Sequence, residues 1–103
     1  MSTISLSPVI ENDIRKTELN ILRSLCEVSW SLVKTIKEAN EFIYLKELLD
    51  CEENLNGNTD ITIPDEQLKI ICIAFSSTAG KRLTVAPDWM RYGKSLFLQL
   101  SNF

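Results

Sequence analysis

The stretch that decides the fold is residues 7–43, SPVIENDIRKTELNILRSLCEVSWSLVKTIKEANEFI. At 100° per residue, Ile10, Ile14, Ile21, Leu25, Val28, Leu32, Ile36, Ala39 and Ile43 fall within a sector of about 80°. Leu22, Cys26 and Val33 widen that stripe on one side. A strand alternates with period two and cannot produce this spacing. Ser7-Pro8 reads as the helix start, with a hydroxyl at the N-cap and proline at the first helical position. Glu11 and Asp13 then put acid in the first turn, where the helix dipole favours it. Neither Gly nor Pro interrupts the chain between Pro8 and Gly57. The spacing therefore predicts one long N-terminal helix.

Beyond Ile43 the stripe stops. Phe42, Leu45 and Leu49 lie on a face turned by roughly 120° from it. Two outcomes fit. Either the helix breaks near Asn40, or it runs on and packs residues 41–52 against something else. The run Asn54-Leu55-Asn56-Gly57-Asn58 is a loop by composition.

Ile61-Thr62-Ile63 fits a short extended piece, and Pro64-Asp65-Glu66 fits a second helix start. Leu68, Ile71, Cys72 and Phe75 have helical spacing, while Ile70, Ile73 and Ala74 cover the other sides. A helix apolar nearly all round is a buried, central one. The β-branched run Ile70 to Phe75 also fits a buried strand. The helix is favoured because Gly80 supplies a stop about four turns after Pro64. Lys81 to Ala86 reads as a connection, extended around Leu83-Thr84-Val85. Pro87-Asp88 starts a third helix, whose apolar face is Trp89, Gly93, Leu96, Phe97 and Leu100. Glycine on that face marks a close helix contact. The expected architecture is an all-α small helical bundle. It has a long N-terminal helix, a buried central helix and a C-terminal amphipathic helix, and residues 1–103 form a single domain.

Composition narrows the function. The 103 residues, 45% apolar and 24% charged, suit one globular core. No apolar run approaches the roughly 20 residues that span a bilayer. Met1 to Leu6 lacks the basic and apolar regions of a secretory signal. Cys26, Cys51 and Cys72 are odd in number and widely spaced, against both a disulfide framework and a zinc site. The reducing cytoplasm is the expected location. Histidine is absent, which removes the commonest general base and metal ligand.

Two motifs fail on inspection. Ser77-Thr78-Ala79-Gly80-Lys81-Arg82 lacks the first glycine and the final hydroxyl of a phosphate-binding loop. Glu38, Glu41, Asp50, Glu52 and Glu53 lack calcium-loop spacing and read as a solvated helix face and an acidic helix end. No catalytic residue, cofactor or metal is expected.

Binding is the remaining class. Trp30 points about 180° away from the stripe, among Arg23, Glu27, Lys34, Lys37 and Glu41, and waits for a covering helix or a partner. Residues 67–103 carry Lys69, Lys81, Arg82, Arg91 and Lys94 against Asp88, a balance of +4 beside −7 in residues 1–66. The first expectation is a protein–protein interaction module, an adaptor, inhibitor or subunit, with Trp30, Lys34, Lys81, Arg82, Arg91 and Lys94 as partner-binding residues. Its rival is a nucleic-acid-binding regulator using the basic C-terminal third, where aromatics accompany the cations. A straight helix from Ile10 to Ile43 would span about 50 Å, while a compact domain of this size is roughly 35 Å across. A homodimer that covers the excess stripe, with Leu32 at its middle, is therefore expected.

Overall fold

In the computed structural model the chain folds into a mostly helical globule with a radius of gyration of 12.9 Å. It describes the backbone throughout and every side chain except those of residues 78–85. The elements are β1 (Ser2–Ser5), α1 (Asn12–Ser29), a 3-10 turn (Trp30–Leu32), α2 (Ile36–Asp50), α3 (Glu52–Leu55), β2 (Asp60–Ile63), α4 (Asp65–Val85), α5 (Pro87–Tyr92) and α6 (Lys94–Ser101).

The long N-terminal helix is the first correction. The stripe is split at residues 30–35, not near Asn40. Val33 is extended, and Thr35 caps the next helix by accepting from the Glu38 amide at 3.1 Å. Glu38 reaches back to the Thr35 hydroxyl at 3.1 Å and to the Lys34 amide at 3.3 Å. This Thr-x-x-Glu capping box satisfies donors that a new helix leaves open, so a break needs no Gly or Pro. The chain reverses there. Arg23 donates to the Leu49 carbonyl at 3.3 Å, and Lys46 lies 3.4 Å from Glu27, so α1 and α2 run antiparallel. At 18 residues α1 is about 27 Å long, within the 36 Å longest extent of the molecule. The overlong stripe that called for a second copy is gone, and Leu32 is half-buried at the turn.

The helix start is also later than expected. Ser7 leaves β1 with its amide donated to Glu18 at 2.7 Å and its carbonyl accepting from Arg15 at 3.0 Å. A turn closed by the Glu11 amide on the Pro8 carbonyl, 2.9 Å, comes first, and α1 begins at Asn12.

The fold is not purely helical. β1 pairs antiparallel with β2, Ile4 opposite Ile61 and Ser2 opposite Ile63. The Gln99 side chain imitates a further strand on the outer edge of β1. It accepts from the Ser5 amide at 2.7 Å and donates to the Ser5 carbonyl at 2.8 Å, which covers an edge that would otherwise invite pairing.

The extended reading of Ile61–Ile63, the helical start at Pro64 and the helical reading of Ile70–Phe75 match the structure. The expected Gly80 stop and the connection over residues 81–86 do not, since α4 spans Asp65–Val85. Nor is α4 buried all round. Leu68, Ile71 and Ala74 enter the core, while Ile73 is exposed. The C-terminal helix is two pieces that meet at Gly93. A Cβ on Gly93 would lie 2.6 Å from the Trp89 carbonyl oxygen and 2.8 Å from Ile21 Cδ1, so this glycine is the close contact its position implied.

The core joins Ile21, Leu22, Leu25 and Cys26 of α1, Phe42, Leu45 and Leu49 of α2, Leu68 and Ile71 of α4, Leu96 and Leu100 of α6, and Ile4, Ile61 and Ile63 of the sheet.

Candidate functional site

Two features stand out from the packing: a buried polar knot and an apolar groove. The knot is centred on Arg15, only 2% exposed. Its Nε donates to both Glu52 carboxylate oxygens at 2.9 and 3.0 Å, and its Nη2 reaches Glu52 Oε1 at 2.5 Å. The remaining donors reach the carbonyls of Ser7 at 3.0 Å and Asn58 at 2.8 Å. One guanidinium thus ties the exit of β1, the start of α3 and the loop before β2 onto α1. Such a fork is the geometry that guanidinium planarity favours. Every Arg15 partner is structural, and Glu18 beside it is fully buried and holds Ser7.

Of the acids read as a solvated face and an acidic helix end, Asp50 and Glu53 are exposed and three others have partners. Glu52 is the counterion of Arg15, Glu38 caps α2, and Glu41 accepts from the buried Gln67. Among the described residues no three Cys, Asp or Glu side chains converge on a metal-sized site.

The groove holds about 560 Å³ between α2, the end of β2 and the start of α4. Lys37, Glu41, Tyr44 and Leu48 form its helical wall, and Thr62, Pro64 and Gln67 form the other. Ile36 and Met1 also line it. Ile36 is 82% exposed and Tyr44 70%. The capping box explains this exposure. It restarts the helix so that Phe42, Leu45 and Leu49 face the core, and Ile36 and Ile43, the last isoleucines of the stripe, are turned outward. In a separate depression, lined also by Leu68, Cys72 and Phe103, Ser2 donates to Asp65 at 2.9 Å, a hydrogen bond that holds the Asp65 carboxyl below its ordinary range.

The expected partner-binding residues do not gather. Trp30, 42% exposed, and Lys34 sit at the α1–α2 reversal. Arg91 and Lys94 are exposed at the other end of α1: Arg91 lies 5.9 Å from the Tyr92 ring centre, and Tyr92 lines a depression with residues 10–14. Ile14 and Trp30 are separated by about 24 Å of helix. The side chains of Lys81 and Arg82 lie outside the described residues. Sequence reasoning missed the groove because Ile36 was assigned to the buried stripe.

All three cysteines are free. Burial pushes the Cys26 thiol up to about 12 and also raises that of Cys72, so neither is an activated nucleophile. Among the described residues no helix is long and apolar enough to cross a membrane. No family model, curated protein or solved structure matches this chain.

Proposed function

We propose that the chain is a non-catalytic protein-interaction module and that it binds through the α2 groove. One observation carries this reading: Ile36 and Tyr44, both large and apolar, stand in water beside a concave surface of about 560 Å³. A largely apolar lining with a few polar groups in it, here Lys37 and Glu41, has the composition of a protein contact. Tyrosine is enriched at the centres of such contacts. The described cations of the basic C-terminal third, Lys69, Arg91 and Lys94, are exposed, and the nucleic-acid reading rests on their charge and on the one aromatic contact of Arg91 with Tyr92.

A photo-crosslinking residue at position 44, with a control at the exposed position 53, tests the proposal in source cells. A protein adduct formed from position 44 but not from position 53, and lost on Ile36→Asp, supports it. No adduct, or the same adducts from both positions, overturns it.

A further inference from the structure

The pattern of residues on α2 identifies an occupant for its exposed face. We infer that a second copy of this chain packs there, α2 against α2, antiparallel about a two-fold axis at Asn40; this rests on the groove being an interaction surface. In an antiparallel pair about Asn40, a residue n positions before it meets the residue n positions after it on the other chain. Ile36 then lies level with Tyr44 of the second copy, each about 40° to its own side of the Asn40 line, and Ile43 of that copy stands on the same flank as Ile36. Ile36 and Tyr44 are the most exposed apolar side chains of α2. Asn40 is exposed and faces itself, and a carboxamide donates and accepts at once, so two can bond to each other.

The charges are complementary in the same arrangement. Lys37 and Glu41 stand on one flank of the row, about 60° and 100° round from Asn40. A two-fold axis perpendicular to both helices brings like flanks together. Lys37 of each copy is then within about two residues' rise of Glu41 of the other, giving two cross-pairs of opposite sign. Apolar meets apolar, amide meets amide and cation meets anion, so the face is complementary to itself. A partner of one net sign would use only half of that rim.

The pairing of two 15-residue helices falls at the small end of stable interfaces, so the dimer is a weak, concentration-dependent one. Sedimentation equilibrium on the full chain up to about 1 mM reads it directly, with circular dichroism to check that each variant is folded. The wild type should show a monomer–dimer equilibrium that weakens with added salt. Lys37→Glu should weaken it at least about tenfold by facing acid with acid. Glu41→Lys alone should do the same by facing lysine with lysine. An equimolar mixture of the two variants should associate again, since each cross-pair is then one acid and one base. Glu41 also accepts from Gln67, so if Glu41→Lys does not fold, Tyr44→Glu, at an exposed position, replaces it and should abolish the dimer.

A wild-type monomer throughout overturns the inference. So does a dimer unmoved by Lys37→Glu, or single variants that do not recover on mixing. The position-44 adduct separates the two proposals. An adduct to a different protein from a chain that stays monomeric leaves the groove as a binding surface and removes the second copy from it.

Discussion

Ile21 and Ile36 belong to one unbroken stripe in the sequence, yet Ile21 is 0% exposed and Ile36 is 82% exposed. The two regions differ in what lies between them. α1 keeps the phase of the stripe, burying Ile21 and Leu25 and half-burying Ile14 and Val28, while Ile10 ahead of it is exposed. α2 begins afresh at a Thr35–Glu38 capping box, and its core face becomes Phe42, Leu45 and Leu49. A few hydrogen bonds at a helix start, each worth about 1 kcal/mol, thus decide which isoleucines are core and which are surface. Hydrophobic periodicity alone cannot see that change of phase.

The largest expected effect lies in the buried region. Arg15→Ala should cost about 3 kcal/mol or more, because it empties the space of a buried side chain and removes the hydrogen bonds that tie Ser7, Glu52 and Asn58 onto α1. In a domain of this size that lowers Tm by roughly 12 °C or more. Glu52→Gln should cost less than Arg15→Ala, since the amide oxygen still accepts from Arg15 and the two carbonyl bonds remain, but the 2%-exposed guanidinium loses its counterion. Urea titration of both variants measures the difference; equal losses would mean that the knot is held by the ion pair alone.

Ile21→Ala and Ile36→Ala test the contrast most simply. The first should cost about 2–5 kcal/mol and the second within about 0.5 kcal/mol. Similar losses in thermal melts would put both residues in the core. Gly93→Ala sets chain entropy against space. Alanine there would gain up to about 1 kcal/mol by restricting the unfolded chain, but the new methyl would meet the Trp89 carbonyl oxygen at 2.6 Å and Ile21 at 2.8 Å. The clash should win, with a net loss of about 1–3 kcal/mol.

The smallest effect concerns thiols. Cys26 packs on the buried face of α1 and Cys51 is exposed after α2. A thiol reagent should modify Cys51 in the native protein and Cys26 only on unfolding. Burial raises the folded Cys26 thiol from 9.0 to about 12, so its contribution to stability is fully present below about pH 9. That contribution fades as pH climbs towards about 12. Cys26→Ala, already less stable at neutral pH, should lack that part of the alkaline decline.

Much of the helical content was legible: the faces of α1 and α4, the Pro64 start and the Gly93 contact all carry local signals. Thr35-x-x-Glu38 was legible too, as a capping box, but an unbroken apolar stripe outweighs it when only Gly and Pro count as breaks. β1 was not legible, because four residues gain strand character from partners nearly sixty positions away. The pairing of Arg15 with Glu52 has the same cause, a contact across 37 positions that only the fold creates. The candidate groove followed the helix break out of view, since its wall is a face that periodicity assigned to the core.

The apolar stripe folds back on itself at residues 30–35. An electron–electron double resonance distance between spin labels at the exposed positions 16 and 47, in a Cys51→Ser background, tests it most directly. Antiparallel packing of α1 on α2 predicts a separation of about 20 Å, from a 15 Å axial offset and a helix spacing near 10 Å. A distance of about 46 Å, that of one straight helix over the same residues, would contradict it.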